Sequence, residues 1–197
     1  MKGALPAIEA FKPELIGWRR RIHAYPETAY EEYRTAEFVA NLLIEFGLDV
    51  ERGIAGTGVV GTLRVGNGAR TIALRADMDA LNMQELSDCA YRSQRDGKMH
   101  ACGHDGHTAM LLGAAKYLAC TRRFDGTVHF LFQPAEEGGG GAKRMLDEGL
   151  FRRFPADCAF AIHNLPGMPL GMLGISGGPQ LAIWRSEERR VGKECRS

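Results

Sequence analysis

The chain has no long hydrophobic run. Of its 197 residues, 45% are hydrophobic and 25% are charged, which is ordinary for a globular protein. No stretch of about 18 apolar residues could span a membrane. The N-terminal segment carries charges throughout and lacks the apolar core of a signal peptide. These absences predict a cytoplasmic protein with no membrane partner.

An excess of charge of either sign is also absent. The 25 Lys and Arg residues nearly balance the 24 Asp and Glu residues, and the formal net charge is +1. Aromatic residues make up only 8% of the chain, and no basic stripe with interleaved aromatic residues occurs. Since nucleic-acid binding relies on clustered positive charge, we expect no nucleic-acid partner.

Paired cysteines are lacking as well. The five cysteines are odd in number and form no Cys-x-x-Cys motif: Cys89, Cys102, Cys120, Cys158 and Cys195. A disulfide framework of the kind found in small secreted proteins is therefore not expected. A reducing compartment fits this cysteine usage better.

The hydrophobic pattern alternates between helical and strand periods. Apolar residues at helical spacing predict helices over residues 14–23, 31–46, 108–119 and 142–149. Short apolar runs between glycine-bearing turns predict strands over residues 48–51, 58–65, 71–76, 128–132 and 158–163. Strands that alternate with helices indicate an α/β fold with a mostly parallel sheet flanked by helices.

The C-terminal segment RSEERRVGKECRS, residues 185–197, differs from the rest of the chain. It is dominated by charged residues, and Val191 is its only large apolar side chain. We predict that residues 185–197 are a non-native, disordered tail after a domain that occupies residues 1–184. The resemblance of the tail to a translated sequencing adapter suggests that the natural reading frame was lost near Trp184.

Four segments concentrate side chains that bind metal or move protons. They are ALRADMDAL at 73–81, HACGHDGH at 100–107, FQPAEEGGGG at 132–141 and AFAIHN at 159–164. Three of them lie at the end of an apolar run that predicts a buried strand. In open α/β sheets, ligands bind beyond the carboxyl ends of the strands, so we expect these segments to converge in space.

The second segment offers two different metal donors. Cys102 and His104, two residues apart on a glycine-containing loop, supply a thiolate and an imidazole. Such a mixed set suits zinc, and also cobalt or iron-group divalent ions. The alternative is that Cys102 is a small buried hydrophobic residue and that Asp105 caps the following helix. The number of candidate ligands in the loop favours a metal site.

The third segment places two carboxylates side by side. Glu136 and Glu137 follow a predicted strand, where burial or mutual repulsion would raise the pKa of one toward that of a general base. Because neighbouring side chains of an extended segment diverge, one glutamate could bind metal while the other handles a proton. The alternative is a pair of solvated charges.

The first and fourth segments hold further candidates with two interpretations each. Asp77 and Asp79 point to the same side of an extended segment, where they could orient a metal-bound histidine or cap a turn. His163 ends an apolar run and could be a metal ligand or a hydrogen-bonded core residue.

Together and in this order, the motifs resemble the M20 metallopeptidase family, specifically its amidohydrolase branch with hippurate hydrolase and the indole-acetyl amino acid hydrolases. The matching stretches are RRRIHAYPET, LRADMDAL, MHACGHDGHTAMLLGAA, FQPAEEGGGGAKRML and IHNLPGMPLGMLGISGGP. The resemblance covers residues from about 14 to 182.

The resemblance implies a site for two divalent metal ions, which could be zinc, manganese, cobalt or nickel. Its implied ligands are Cys102, His104, Glu137 and His163. It places Glu136 at the general-base position, and it matches Asp79 to an aspartate that supports catalysis from beside the metals. The implied enzyme is a metal-dependent amidohydrolase that cleaves the amide bond of small N-acyl amino acids such as hippurate, releasing a carboxylic acid and an amino acid.

The family fold is a zinc-exopeptidase-like catalytic domain interrupted by a lid or dimerisation domain, and the parent protein is expected to be a homodimer or homotetramer. Residues 1–184 correspond to the N-terminal part of the catalytic domain, so the lid domain and one further histidine ligand are expected to be absent. An inactive, truncated fragment is the first alternative. A thiol hydrolase, with Cys102 as nucleophile and a histidine as base, is the second.

Overall fold

The computed structural model describes residues 6–175 of the chain. The chain divides into two compact units, Met1–Asn164 and Leu165–Ser197. Every described helix and strand lies in the first unit. In the second unit, residues 165–175 contain turns but no helix or strand. The predicted tail at 185–197 lies outside the described residues.

Residues 6–175 contain five helices and five strands. The helices are α1 (Pro6–Ala24), α2 (Tyr33–Glu45), α3 (His104–Thr121), α4 (Gly141–Asp147) and α5 (Leu150–Arg153). The strands are β1 (Asp49–Ile54), β2 (Gly58–Val65), β3 (Thr71–Asp77), β4 (Gly126–Gln133) and β5 (Cys158–Ala161). None of the described helices is both long and apolar enough to cross a bilayer.

The long helices follow from the apolar periodicity of the sequence. Helix α2 buries Val39 and Leu43 on one face, and the chain leaves the helix at Gly47, whose φ of 83° suits a glycine after a helix end. Helix α1 begins at Pro6, earlier than the pattern predicted. It continues through Pro13, which lacks the N–H that would bond to the carbonyl four residues earlier.

The five strands form one sheet in the order β1-β2-β4-β3-β5. β3 is parallel to both of its neighbours, whereas β1–β2 and β2–β4 are antiparallel. The α/β class is therefore confirmed, but the sheet is evenly mixed rather than mostly parallel. A tight turn at residues 55–57 joins β1 to β2, and so short a connection can join only antiparallel strands.

Strand β5 lies at the edge of the sheet and pairs only with β3 among the described strands. All four of its residues are exposed, so the prediction of a buried strand leading to His163 is wrong for the described chain. The apolar run Cys158–Ala161 has the composition of a buried strand, but its position at the edge leaves it open to solvent.

Helices pack against both faces of the sheet, and β4 shows how the sequence arranges this. Phe130 and Phe132 lie in the larger core cluster with residues of α2 and α3, while Leu131 lies in a second cluster with Met145 and Leu150. This alternation is the period of two expected of a strand. Each fully buried side chain of this size contributes about 1.5–3 kcal/mol to folding, so β4 is a well-anchored base for the residues that follow it.

Candidate metal centre

The parallel strands bring the predicted segments together beyond their carboxyl ends. Asp77 is opposite Gln133 across β3 and β4, and Arg75 is opposite Ala161 across β3 and β5. The residues that follow these strands therefore leave the sheet side by side. Thr108 of α3 donates to the carbonyl of Asp77 at 2.9 Å, which fixes the start of α3 beside them.

His104 lies at the centre of this group and is fully buried. Its Nδ1 is 2.8 Å from the carbonyl oxygen of Asp79 and 3.2 Å from Asp79 Oδ1. With Nδ1–H donating to these acceptors, the lone pair of Nε2 points the other way. Nε2 is buried and has no hydrogen-bond partner among the described residues.

The charges around His104 are mainly negative. Burial alone lowers the pKa of His104, but the hydrogen bond to Asp79 and the charge of Asp77 outweigh it, so the pKa is raised above its ordinary value. Carboxylates of Glu136 and Glu137 lie 3.9 Å and 3.7 Å from Nε2. This arrangement favours a positive charge at the position that Nε2 faces.

Cys102 and His163 lie next to His104. The Sγ atom of Cys102 is 3.5 Å from His163 Nε2, and one donor atom from each of the three residues lies within 4.8 Å of the others. Burial raises the pKa of the Cys102 thiol to about 12, and the carboxylate of Glu137 adds to this shift. A nearby cation would oppose both effects, because its positive charge stabilises the thiolate, which is the form that binds metal.

Gly103 permits the close approach of Asn164 to the loop between Cys102 and His104. Its φ is 90°, and a Cβ at this position would lie 2.4 Å from Asn164 Oδ1. Any other residue would therefore be strained and would push Asn164 away. Since Asn164 follows His163, the glycine lets the end of β5 lie directly against the loop between Cys102 and His104.

Glu136 and Glu137 have different environments. Glu137 is partly buried, and its backbone N–H donates to Asp79 Oδ2 at 2.9 Å. The side chain of Glu136 is 42% exposed, which corrects the expectation that this position is buried. Partial desolvation and the charge of Glu137 nevertheless raise the pKa of Glu136. One oxygen of each carboxylate and a ring nitrogen of His104 lie within 4.8 Å of one another, so the prediction that the two neighbouring side chains diverge is wrong. The backbone before them is not extended, since Ala135 has a φ of 51°.

A third histidine, His107, belongs to the centre although the sequence suggested no role for it. Its Nδ1 is 2.6 Å from Asp77 Oδ1, and its Nε2 is 3.1 Å from the backbone N of Asn164. Arg75 donates to the other oxygen of Asp77 at 2.8 Å. Burial raises the pKa of Asp77, but the His107 hydrogen bond and the Arg75 charge outweigh it and lower the pKa. The three-residue spacing from His104, which puts both rings on one helical face, was the available signal.

Asp105 points away from the metal ligand candidates. It accepts from Arg19 Nε at 3.0 Å and lies 2.9 Å from His23 Nδ1, so the alternative in which Asp105 caps α3 is wrong. The other ring nitrogen of His23 is 3.1 Å from Glu85 Oε1. The Asp105 hydrogen bond raises the pKa of His23, burial opposes it, and Glu85 adds to the rise. This network ties α1 to the first turn of α3, next to His104.

The donor set fits a divalent cation. A buried imidazole nitrogen with no hydrogen-bond partner in the described part of the chain faces carboxylates, and a thiol and a second imidazole lie beside it. Nitrogen, sulfur and carboxylate oxygen are the ligands that zinc and related metals take in proteins. The Asp79 carboxylate behind His104 has the usual place of a group that orients a metal-bound histidine.

A family model, Peptidase family M20/M25/M40, matches residues 73–183. This stretch is more than half of the chain and includes all four chemistry-bearing segments. The chain belongs to this family. The match confirms the resemblance to the M20 family that was inferred from the sequence motifs.

Curated relatives of this M20 family chain include two hydrolases. Hippurate hydrolase of Campylobacter jejuni is 50% identical over 162 residues, which cover 82% of this chain and 42% of the relative. An IAA-amino acid hydrolase of Arabidopsis thaliana is 47% identical over 169 residues, which cover 85% of this chain and 38% of the relative.

Among solved structures, a dinuclear metal-binding peptidase of the M20 family from Bacillus subtilis is similar, with a TM-score of 0.82 and 38% identity. The match covers 87% of this chain and 48% of that protein. The M20 chain thus spans less than half the length of these relatives.

Proposed function

We propose that this M20 chain carries the metal site of an amidohydrolase that cleaves the amide bond of N-acyl amino acids, with hippurate-like compounds as substrates. The names of two relatives support this substrate class. The observation that carries the proposal is the buried Nε2 of His104, which has no hydrogen-bond partner within residues 6–175 and faces the carboxylates of Glu136 and Glu137.

Four side chains are assigned as metal ligands: Cys102, His104, Glu137 and His163. They would hold two divalent ions, in keeping with the dinuclear structural relative. A thiolate with imidazoles suits zinc, cobalt or nickel, and carboxylate ligation also suits manganese. When bound, the ions would polarise the scissile carbonyl and lower the pKa of a water molecule.

Glu136 is assigned as the general base. Its side chain is 42% exposed, which leaves it open to a water molecule, and its raised pKa makes it a stronger base than an ordinary glutamate. Glu136 accepts a proton from the attacking water as the water oxygen bonds to the carbonyl carbon. It then donates that proton to the amine nitrogen as the amide C–N bond breaks.

Asp79 is assigned a supporting role through two contacts. One oxygen lies 3.2 Å from His104 Nδ1 and keeps the Nε2 lone pair facing the carboxylates. The other oxygen accepts from Glu137 N at 2.9 Å. Asp79 thereby fixes the relative positions of two assigned ligands without touching the substrate.

Metal analysis combined with hydrolysis of N-benzoylglycine tests the proposal. Glu136→Gln should keep the bound metal but lose at least about a hundredfold in rate, since a positioned general base typically contributes about 10²–10⁴-fold. Near-normal turnover by this variant would refute the assignment. An unaltered chain that binds metal but hydrolyses no N-acyl amino acid would instead support the alternative, an inactive fragment of such an enzyme.

The contact of 3.5 Å between Cys102 Sγ and His163 Nε2 keeps a thiol hydrolase as the second candidate function. The raised pKa of Cys102 opposes it, because the thiolate is the nucleophile. A chelator separates the two: activity that survives complete metal removal would favour the thiol mechanism, and activity restored only by added metal would favour the amidohydrolase.

A further inference from the structure

The loop that carries Glu136 and Glu137 begins with an unfavourable backbone conformation. Ala135 has a φ of 51°, in the left-handed region that residues with a Cβ rarely adopt, and its side chain is fully buried. Such a conformation persists only where surrounding contacts hold it. The direction in which the two glutamates leave β4 therefore depends on what holds Ala135.

Glu32 supplies that contact from a distant part of the chain. Its Oε1 accepts from the backbone N of Ala135 at 2.9 Å, and its Oε2 accepts from Thr57 Oγ1 at 2.5 Å. Glu32 is 0% exposed, and no ion pair to it is present in the described part of the chain. A buried carboxylate without a cation is costly, so stability alone does not explain this choice of residue.

The residues around Glu32 hold the same region at other points. Tyr30 Oη donates to the carbonyl of Gly139 at 2.7 Å, at the far end of the glutamate loop. The carbonyl of Glu27 accepts from Ala80 N at 2.7 Å, directly after Asp79. Residues 27–32, here termed the brace, thus contact both loops that lead into the metal centre.

We propose that Glu32 is a positioning residue: through the backbone of Ala135 it sets the direction of Glu136 and Glu137, and the brace acts with it. The inference rests on the proposed function, in which Glu137 is a metal ligand and Glu136 the base. Glu32 itself touches neither metal nor substrate, so loss of its contact should weaken metal binding through Glu137.

Cobalt binding to the full chain tests this role without relying on activity. Absorbance titration gives the Co²⁺ affinity, and the thiolate-to-cobalt charge-transfer band reports ligation by Cys102. Glu32→Ala should bind Co²⁺ about 10–100-fold more weakly, the usual effect of removing a group that supports a ligand. Glu32→Gln keeps an oxygen acceptor for Ala135 N and should restore most of the affinity.

Glu148→Ala is the matched control. Glu148 Oε2 accepts from the backbone N of Ala55 at 2.7 Å, and Ala55 has a φ of 52°, so the same type of contact is removed outside the metal centre. We expect this variant to lose stability but keep its Co²⁺ affinity. Equal losses of affinity in Glu32→Ala and Glu148→Ala would overturn the positioning role.

Two further outcomes separate the brace from the proposed function. If the unaltered chain binds no Co²⁺, both the metal site and the brace are refuted. If it binds Co²⁺ and Glu32→Ala binds equally tightly, the brace alone is refuted. Should Glu32→Ala fail to fold, Tyr30→Phe removes only the hydroxyl that holds Gly139; a several-fold loss of affinity supports the brace, and an unchanged affinity refutes it.

Discussion

Replacing Asp79 by asparagine tests whether the carboxylate behind His104 organises the centre. Asp79 is buried and uses both oxygens as acceptors, from His104 Nδ1 at 3.2 Å and from Glu137 N at 2.9 Å. Asparagine has one oxygen and one NH₂ group. Whichever way the amide is turned, one N–H of the protein faces another donor instead of an acceptor.

The size of the effect follows from that mismatch. A buried donor left without an acceptor costs about 1–3 kcal/mol. Loss of a group that orients a ligating histidine weakens metal affinity about 10–100-fold. The carbonyl of Asp79 still accepts from His104 at 2.8 Å, so the imidazole is not released completely. We therefore expect Asp79→Asn to bind Co²⁺ or Zn²⁺ at least about tenfold more weakly.

Isothermal titration of the metal-free chain and of the variant measures this difference, with urea unfolding to report stability separately. Asp157→Asn is the control, because Asp157 Oδ2 accepts from Thr71 N at 2.9 Å at the opposite end of β3. Both variants lose one acceptor oxygen of an aspartate. Equal metal affinities for Asp79→Asn, Asp157→Asn and the unaltered chain would refute the reasoning.

Two further predictions concern stability. The Asp105 hydrogen bond, together with Glu85, raises the pKa of His23 above its unfolded value of about 6.5. The stabilisation from protonated His23 is therefore complete below about pH 6.5 and is lost as the pH rises through the folded-state pKa. Urea unfolding should show that the free energy of unfolding falls on the alkaline side of this range. The fall should be smaller in His23→Gln. Gly103→Ala should destabilise the fold by about 1–3 kcal/mol, since its φ is 90° and its Cβ would meet Asn164.

Each of these has a clear contrary result. An identical pH dependence of unfolding in His23→Gln and the unaltered chain would remove His23 as the source of the alkaline loss. Gly106→Ala, in the same helix start but with nothing within 4 Å of an added Cβ, is the control for Gly103→Ala. Equal stabilities of these two glycine variants would contradict the steric argument.

Local sequence pattern was sufficient for most of the fold. β2 was predicted over Gly58–Val65 and has those bounds, and β3 extends the predicted 71–76 by one residue to Asp77. The alternation of apolar residues and the glycines in turns are local signals, so they predict strand bounds without knowledge of the rest of the fold. Burial of β5 was mispredicted because edge or centre position in a sheet depends on partners elsewhere in the chain, which an apolar run does not specify.

The candidate centre was partly predictable for a geometric reason. Parallel strands share a carboxyl edge, so donors after β3, β4 and β5 had to meet if the strands were parallel neighbours. The supporting residues gave no such signal. Glu32 reads as a charged residue at a helix start, and its burial depends on Ala135, which is 103 positions away. His107 likewise acquires its role from Asp77, 30 positions away.

Several inferences from the sequence stay predictions. The ligand roles, the domain bounds, the cytoplasmic location, the identity of the metal, the absence of a nucleic-acid partner and the homodimeric or homotetrameric state of the parent protein belong to this group.

The edge position of β5 means that the candidate ligands of the metal centre follow strands with different numbers of neighbours in the sheet. Asp79, Glu136 and Glu137 follow strands β3 and β4 inside the sheet, whereas His163 follows a strand that, among the described strands, pairs on one side only. An ion shared by Cys102 and His163 would therefore cross-link an edge strand of the sheet to the loop that precedes α3. Metal binding would then slow amide hydrogen exchange in residues 158–161 more than in the central strands of the sheet.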